Sequence, residues 1–269
     1  MTNNAINVHT LGTSHGDSTF CRFNSSTAYE CSDGSIYLVD AGAPVEASMR
    51  RKDLNIKDLR AVFLTHMHDD HVGGLPGLLK QVMKYTGERM DAVQVFFPEE
   101  GAREALEGWF EVLHIDTGGS AIKYGVTAPG LVFEDENIEV RAINTMHLSR
   151  HRKSVSFAYV LYFKKEDVRI LHTGDLLWTF EDFPKIAFEE SFDACFTEVT
   201  HYDIEKAVPT LAEAKFGRLV FIHVGEAWHT RLDSEWRTDG GERNLLQICK
   251  PLPYHVAVAH DMEVFYIGR

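Results

Sequence analysis

The segment Thr65-His66-Met67-His68-Asp69-Asp70-His71 concentrates three histidines and two aspartates within seven residues. It directly follows the apolar run Ala61-Val62-Phe63-Leu64, which predicts a buried strand. Gly73 and Gly74 come after it, where the chain must turn into a helix that the periodicity predicts from Leu75 to Tyr85. A strand, a histidine-rich turn and a helix in this order indicate a metal-binding loop at the edge of a sheet.

The spacing inside this segment predicts two neighbouring metal sites. Near an extended segment, residues two apart point to the same side, so His66 and His68 are expected to bind one ion. The chain then turns, and Asp70 with His71 is expected to face a second ion. Imidazole and carboxylate ligands together favour Zn2+, with Mn2+ and Fe2+ as alternatives. A histidine-rich turn without metal is the competing interpretation, and it leaves the preceding strand and the following glycines unexplained.

Three further candidate ligands follow apolar runs later in the chain: His147, Asp175 and His223. Each of them alone has an ordinary structural explanation, as a turn aspartate or as a histidine hydrogen-bonded at a sheet edge. All four sites, however, lie just past an apolar run that predicts a strand. The joint pattern, and not any single residue, predicts a metal centre assembled from four segments.

Short apolar runs alternate with helical segments along the chain, which indicates an α/β fold with large mixed sheets. The predicted strands are Ile6–Leu11, Ile36–Val39, Ala61–Leu64, Val93–Phe97, Ile138–Ile143, Val155–Phe163, Val168–Leu171, Ala194–Phe196, Leu219–Ile222, His255–Val258 and Glu263–Ile267. The predicted helices are Leu75–Tyr85, Glu99–Phe110 and Ile204–Phe216. No linker rich in proline, glycine or serine divides the chain and no internal repeat is visible, so residues 1–269 are expected to form one domain.

The composition is that of a globular protein with an acidic balance. Hydrophobic residues make up 44% and charged residues 25% of the 269 residues, which excludes a disordered, collagenous or coiled-coil chain. The 27 lysines and arginines against 40 aspartates and glutamates give a net charge of −13, which repels long polyanions and anionic membranes. The sequence shows no signal peptide, no membrane-spanning stretch and no CxxC pair among its four cysteines, so a cytoplasmic protein is expected.

These motifs together resemble those of the metallo-β-lactamase superfamily, and the resemblance covers nearly the whole chain. The residues that carry it are the HxHxDH run at 66–71, His147, the Gly174-Asp175 turn, His223 and Val39-Asp40-Ala41-Gly42. The resemblance implies an αββα sandwich of two mixed β-sheets with helices on the outer faces. It also implies a dinuclear metal site at one edge of the two sheets, while the motifs are weak indicators of the substrate.

The resemblance further implies a role for each candidate residue. The first metal ion would be bound by His66, His68 and His147, the second by Asp70, His71 and His223, with Asp175 bridging both. Asp40 would orient a ligand histidine, and Asp70 is expected to take part in catalysis as well. Two divalent ions, Zn2+ first, would hold an ionised bridging water that attacks a carbonyl carbon or a phosphorus.

Within the superfamily, the chain resembles the ribonuclease Z and phosphodiesterase branch most. Leu11-Gly12-Thr13-Ser14, Gly74–Leu79 and Val258–Val264 are similar to segments of that branch. His201 lies 22 residues before His223, in the position of the branch's extra histidine. In that branch the histidine pairs with a glutamate and protonates the leaving oxygen, so the resemblance makes His201 a candidate catalytic acid.

Glu198 is the candidate partner of His201, because a carboxylate orients an imidazole and raises its pKa. Two features depart from the branch: Asp203 stands where a threonine is usual, and the branch's glutamate lies farther upstream than Glu198. A strand-end histidine that caps a helix is the competing interpretation of His201. His260 lies in the matched final segment and is expected to be structural.

The small number of residues between His147 and Asp175 in the sequence is informative about the substrate. Only 27 residues separate them, which does not accommodate the long arm with which tRNA-processing members grip tRNA. Together with the charge of −13, this favours a small-molecule substrate, a phosphodiester or another phosphate-containing compound, over long nucleic acid. The alternatives are a lactone, thioester or amide hydrolase, ribonuclease Z-type RNA processing, a flavin-dependent diiron reductase and a metal-binding scaffold without catalysis.

Two further features have both a functional and a structural interpretation. The basic cluster Arg150-His151-Arg152-Lys153 either holds a phosphate or carboxylate of the substrate or forms a solvated turn. The segment Gly225–Gly241 is either a binding loop or a surface loop, and its Trp228 and Trp236 either line a pocket or pack the loop down. No association with a membrane is expected, and the sequence leaves a homodimer open.

Overall fold

Two β-sheets of seven strands each form the centre of this computed structural model, which describes residues 5–86, 92–117, 121–149, 155–229 and 240–268. The first sheet contains β1 (Ala5–Gly12), β2 (Ser26–Glu30), β3 (Ile36–Val39), β4 (Leu59–Phe63), β5 (Val93–Phe97), β6 (Ile122–Val126) and β14 (Glu263–Gly268). The second sheet contains β7 (Gly130–Glu134), β8 (Ile138–Thr145), β9 (Ser156–Phe163), β10 (Val168–His172), β11 (Ala194–Val199), β12 (Arg218–Val224) and β13 (His255–Val258).

Short helices connect many of these strands. They are α1 (Val45–Arg51), α2 (Asp69–Val72), α3 (Leu75–Thr86), α4 (Ala102–Val112), α5 (Ile186–Glu189), α6 (Ile204–Leu211) and α7 (Gly241–Ile248), with short 3₁₀ turns at Ile56–Asp58 and Glu226–Trp228. Among the helices in the described ranges, none is long and apolar enough to cross a membrane.

Both sheets are mixed, and they have the same pattern of antiparallel and parallel strand pairs. The strand order is β14-β1-β2-β3-β4-β5-β6 in the first and β13-β12-β11-β10-β9-β8-β7 in the second. The strands from β14 to β3 pair antiparallel and those from β3 to β6 parallel. In the second sheet β7 to β10 pair antiparallel and β10 to β13 parallel. The halves therefore repeat each other in topology, although no repeat is visible in the sequence.

Alternation along the strands divides the apolar residues among three cores. In β3, Tyr37 and Val39 belong to the core between the two sheets, whereas Ile36 and Leu38 pack outward with residues of α1, α3 and α4. The outer face of the second sheet packs with residues of α5, α6 and α7 in the same way. Side chains of successive strand residues point to opposite faces, so each sheet is covered on both sides. The predicted αββα sandwich of mixed sheets is confirmed.

The strand directions bring the carboxyl ends of several strands to one edge. β3 and β4 are parallel in the first sheet, and β10, β11 and β12 are parallel in the second. β8 runs in the same direction as β10, because each pairs antiparallel with β9. The two sheets are joined at this edge by hydrogen bonds from the Phe157 N–H to the Thr65 carbonyl (2.9 Å) and from the Tyr159 hydroxyl to the Leu64 carbonyl (2.7 Å).

Some element bounds differ from the sequence prediction. The helix predicted from Ile204 to Phe216 ends at Leu211, because the chain then turns so that Phe192 can bridge to Phe216 before β12 begins. The helix predicted from Glu99 begins at Ala102, after Gly101 adopts a left-handed φ of 87° that interrupts regular helix. Strands β2, β6 and β7 were not predicted, since polar residues and glycine interrupt their apolar pattern.

Phe63 tests the packing between the sheets, since its ring is fully buried and lies 5.3 to 5.7 Å from the rings of Phe96, Phe133 and Tyr159. The substitution Phe63→Ala should lower the free energy of unfolding by roughly 3–5 kcal/mol, because it leaves a cavity that neighbouring rings cannot fill. Urea unfolding measures the change. The matched control is Phe20→Ala, a ring that is 93% exposed, whose effect should stay within about 0.5 kcal/mol. Equal effects of the two substitutions would contradict this account of the core.

Candidate metal centre

A first group of potential ligands consists of residues from the segments that follow β4, β8 and β10. His66, His68, His147 and Asp175 each offer a ligand atom, and these atoms lie within 4.8 Å of one another. His66 Nε2 is 3.0 Å from His68 Nδ1, which is 3.4 Å from His147 Nε2. Asp175 Oδ2 lies 3.6 Å from His66 Nε2 and 3.7 Å from His147 Nε2. The structure thus brings together the four residues predicted for the first ion.

A second group lies directly beside the first. It contains Asp70, His71 and His223, whose ligand atoms also lie within 4.8 Å of one another. Asp70 Oδ2 is 3.1 Å from His223 Nε2 and 3.4 Å from His71 Nε2. Asp175 stands between the groups, with Oδ2 3.5 Å from His71 Nε2 and Oδ1 3.6 Å from His223 Nε2. This is the placement predicted for a bridging carboxylate.

Hydrogen bonds behind the ligands fix the imidazole orientation. His66 Nδ1 contacts the Thr65 hydroxyl (3.0 Å), which is bonded to the Asp40 carboxylate. His147 Nδ1–H donates to the Leu176 carbonyl at 3.3 Å. His223 Nδ1–H donates at 3.1 Å to the Thr200 hydroxyl, which itself donates to the His223 carbonyl at 2.6 Å. Each bond places the hydrogen on Nδ1 and leaves the Nε2 lone pair for a metal ion.

Asp40 plays the same part for His71. It follows β3 with a left-handed φ of 61°, and its carboxylate accepts from His71 Nδ1 at 2.7 Å and from the Thr65 N–H at 2.8 Å. A positive φ is costly for a residue other than glycine and persists where surrounding bonds impose it. Asp40 therefore lies at the position predicted for it, in contact with a ligand histidine and with the backbone that starts the metal-binding loop.

Two glycines allow the loops to approach. A Cβ on Gly42 would lie 2.2 Å from the Asp70 carbonyl oxygen, so any side chain would push the second ligand group away. Gly174 has a φ of 59°, and a Cβ there would lie 2.8 Å from the Thr65 side chain. Its conformation turns the chain after β10 and directs Asp175 between the two groups.

Burial and neighbouring charges set the protonation states of the first group to those that favour cation binding. Burial lowers the pKa of His66, His68 and His147, so these imidazoles are neutral at pH 7 with free lone pairs. Burial acts to raise the pKa of Asp175, but the neighbouring His223 and His71 outweigh it and hold that pKa well below its ordinary value. Neutral imidazoles and an ionised carboxylate are the states in which these side chains bind metals.

His71 differs from the other ligands. Burial acts to lower its pKa, yet the carboxylates of Asp175 and Asp40 outweigh burial and raise the pKa well above its ordinary value. A metal ion that binds Nε2 of His71 must therefore displace a proton. Metal binding at the second group is accordingly expected to weaken as the pH falls.

The donor set fits divalent metal ions. Four atoms bound tetrahedrally at the roughly 2.1 Å typical of Zn2+ would lie about 3.3–3.4 Å apart, close to the separations of 3.0 to 3.7 Å in the first group. His71 Nε2 and Asp175 Oδ1 are buried without a hydrogen-bonding partner, which is costly unless another ligand satisfies them. His68 is exposed to solvent, so the centre opens on that side.

His201 stands at the margin of this centre. Its ring lies 4.5 Å from that of His147 and 5.5 Å from that of His223. Its Nδ1 bonds to Glu198 Oε2 at 2.9 Å, and the buried Glu198 also accepts the Leu176 N–H through Oε1 at 2.6 Å. Asp203, which replaces the branch's threonine, caps α6 by accepting from the Glu205 N–H. The predicted pairing of His201 with Glu198 is present, and the capping role belongs to Asp203.

The remaining candidates lie elsewhere. His260 contacts Glu242 at 2.9 Å and the buried Arg22 at 3.2 Å, away from both ligand groups. Trp228 packs against the outer core of the second sheet. The cluster Arg150-His151-Arg152-Lys153 lies outside the described residues, and Trp236 does as well.

Sequence reasoning did not identify the residues behind the ligands. Thr65 and Thr200 orient His66 and His223, and the Leu176 carbonyl orients His147. The only sequence signal was adjacency, since Thr65 precedes the histidine run and Thr200 precedes His201. A hydroxyl next to a ligand is too common a pattern to indicate this role alone.

A four-layer αββα sandwich with two groups of potential metal ligands at one edge is the arrangement of the metallo-β-lactamase fold. YhfI from Bacillus subtilis, a protein of that fold, shares it with a TM-score of 0.74 and 19% identity over 97% of this chain and 99% of YhfI. The human short-form tRNase Z (ELAC1) has a TM-score of 0.72 and 20% identity, with 98% of this chain and 100% of the other covered. The predicted metallo-β-lactamase fold is confirmed.

A more particular assignment comes from a family model described as anti-Pycsar protein Apyc1, which matches residues 6–220. The chain belongs to that family. It is also 34% identical over 152 residues to a ribonuclease Z of Parasynechococcus marenigrum (strain WH8102), covering 53% of this chain and 46% of the relative. The chain thus matches about half the length of this curated relative, and the predicted likeness to the ribonuclease Z branch is confirmed.

Removal of one exposed ligand tests the first group. His68→Ala should weaken metal binding by at least about tenfold, because a donor is lost while little buried structure is disturbed. Competition with a chromogenic chelator measures the affinity, and elemental analysis measures the metal content per chain. His255→Ala, an exposed histidine in β13, is the matched control and should change neither value. Unchanged affinity and metal content in His68→Ala would show that His68 is not a ligand.

Proposed function

We propose that this protein is a hydrolase that uses two divalent metal ions, Zn2+ first, to cleave a phosphodiester or another small phosphate-containing substrate. The observation that carries the proposal is His201, held by Glu198 at 2.9 Å directly beside two complete ligand groups. The two groups of potential ligands alone would be compatible with several reactions, including hydrolysis of carbonyl compounds. A proton donor beside them is what the expulsion of a poor alkoxide leaving group requires.

The residues that would hold the ions follow from the geometry. His66, His68 and His147 would bind one ion and Asp70, His71 and His223 the other, with one oxygen or both oxygens of Asp175 shared. Two divalent cations held there would supply an activated water and would neutralise the charge that develops on the phosphate. Asp70 Oδ2 lies 3.1 Å from His223 Nε2, so both atoms are placed to bind the same ion.

His201 supplies the proton for the leaving group. Burial acts to lower its pKa, but the hydrogen bond with Glu198 and the charge of Asp175 raise that pKa to about 9, so the imidazole is protonated at neutral pH. Nδ1–H is engaged by Glu198, which leaves Nε2–H for the substrate. As the water oxygen bonds to phosphorus, the bond from phosphorus to the leaving oxygen breaks and that oxygen takes the Nε2 proton. The proton that the water loses returns to His201 through solvent, so a diester and water become a monoester and an alcohol.

Two observations favour a small substrate over long RNA. The net charge is −13, which opposes binding of a polyanion. Between His147 and Asp175, strands β9 and β10 occupy residues 156–172 and leave only short connections. Ribonuclease Z-type processing is therefore the second candidate, and cleavage of a precursor tRNA faster than of small diesters would favour it.

His201→Ala tests the acid role. Turnover of a diester with an alkyl leaving group should fall roughly 10²–10⁴-fold, whereas that of bis(p-nitrophenyl) phosphate should fall much less, because nitrophenolate leaves without a proton. Both rates are measured with metal-loaded protein, and elemental analysis checks that the metal content is unchanged. His255→Ala should leave both rates as in the wild type.

The competing chemistry predicts a different set of results. Hydrolysis of a lactone or thioester does not need this acid, so His201→Ala would leave its rate nearly unchanged. A metal-loaded protein that is inert towards diesters yet active on such carbonyl substrates would overturn the phosphodiester proposal. An equal loss on both diester leaving groups would remove the acid role from His201.

The pH dependence offers a separate test. A proton donor works only while protonated, so kcat/KM for the alkyl diester should fall as the pH rises through the pKa of His201, at about 9 or below. Bound cations lower this pKa because they disfavour the imidazolium. A pH profile of kcat/KM measures this alkaline limb, that is, the fall in rate at high pH, and His201→Ala should lack it. The same alkaline limb in the variant would assign it to another group.

A further inference from the structure

A cavity of about 620 Å³ opens beside His201, which is one of its lining residues. It lies between the segment after Asp175 and the start of α6, and Trp178, Phe180, Phe188, His201, Tyr202 and Lys206 line it. This volume is within the range of small-molecule sites, roughly 300–1,000 Å³. None of its residues other than His201 has a part in the proposed reaction so far.

The floor of the cavity is a rigid aromatic cluster. The Phe180 ring lies 4.7 Å from that of Phe183 and 4.5 Å from that of Tyr202, and all three residues are buried. The Tyr202 hydroxyl donates to the Glu198 carbonyl at 2.6 Å, which ties the floor to the strand that carries the partner of His201. Packed rings with satisfied polar atoms form a preformed apolar surface.

Trp178 stands above this floor with 62% of its surface exposed. Its backbone is nevertheless fixed, because the Leu177 N–H donates to Asp182 Oδ1 at 2.9 Å and the Phe180 N–H to the Leu177 carbonyl at 2.8 Å. Asp182 also accepts from the Met146 N–H at 2.6 Å, next to the ligand His147. An exposed indole on a fixed backbone beside a cavity is arranged to contact a ligand.

The position of the leaving oxygen in the proposed reaction indicates which part of the substrate would occupy this cavity. In the proposed hydrolysis the leaving oxygen must meet His201, so the group attached to that oxygen extends past His201 and away from the attacking water. His201 lines the cavity, so a group attached to the oxygen that His201 protonates can extend into it. We infer that it is the leaving-group subsite, and that Trp178 is a specificity-determining residue that selects leaving groups with a flat ring. The inference rests on the function proposed above.

A ring fits this surface better than an alkyl chain. Aromatic faces stack offset or edge-on, and such contacts add stabilisation beyond the area that they bury. Trp178 presents one exposed aromatic surface, and Phe180 and Tyr202 supply the others. A flexible alkyl group would fill the same volume without these contacts, so the subsite discriminates between two leaving groups of equal acidity.

Two matched diesters test the inference with metal-loaded protein. Phenyl methyl phosphate and hexafluoroisopropyl methyl phosphate share the transferred group and have leaving alcohols of similar acidity, but only the first carries a ring. Trp178→Ala should raise KM about tenfold for the phenyl ester and less than about twofold for the other, while Trp178→Phe should retain most of the affinity. Trp109→Ala, an indole in α4 that is 53% exposed, should change neither KM.

Binding provides a readout that does not need turnover. Phenylphosphonate and methylphosphonate, whose carbon–phosphorus bonds are not hydrolysed, are titrated calorimetrically into wild type and variants. Trp178→Ala should weaken phenylphosphonate about tenfold and leave methylphosphonate unchanged. Active enzyme in which Trp178→Ala changes neither the KM ratio nor the phosphonate affinities would overturn the inference and leave the proposed function standing. Trp178-dependent binding of phenylphosphonate by a protein that hydrolyses neither ester would overturn the leaving-group assignment together with the proposed function.

Discussion

The buried carboxylate of Asp175 is the constraint on which the rest of the centre depends. It is 2% exposed and has Nε2 atoms of His66, His71, His147 and His223 within 3.5 to 3.7 Å. A buried ionised carboxylate is costly unless positive charge or hydrogen bonds surround it on all sides. The imidazoles that would hold bound cations beside this carboxylate come from segments that follow strands of both sheets, so the two sheets must meet at this edge.

The grouping of the candidate ligands could be predicted because each follows an apolar run, and the direction of parallel strands then gathers their ends at one edge. His66, His68 and Asp175 are cases of this kind, since strand burial and side-chain alternation are local properties that a sequence displays. The orienting role of Thr200 could not be predicted, because it depends on the register between β11 and β12. The cavity that Trp178 lines also could not be predicted, since a lone exposed tryptophan in a sequence does not indicate which residues surround it.

The two halves of the chain have the same topology but contribute candidate ligands to the site in different ways. The half of the chain with β1 to β6 supplies a continuous ligand segment after β4, together with Asp40 after β3. The half with β7 to β13 supplies single residues, His147, Asp175 and His223, from three separate strand ends. A continuous segment fixes its ligands relative to one another through local backbone geometry. The separate residues are fixed by the sheet instead, so their spacing depends on strand pairing and on the packing between the sheets.

Glu198 contacts both His201, the proposed acid, and the loop that leads to the cavity. One oxygen bonds His201 Nδ1 and the backbone N–H groups of Thr200 and His201, and the other accepts the Leu176 N–H, two residues before Trp178. A substitution that displaces the Leu176 N–H would therefore also disturb the carboxylate that holds the imidazole. Changes that adapt the loop to a new leaving group would also alter the alignment of the proton donor, so selectivity and acid catalysis are expected to evolve together in this protein.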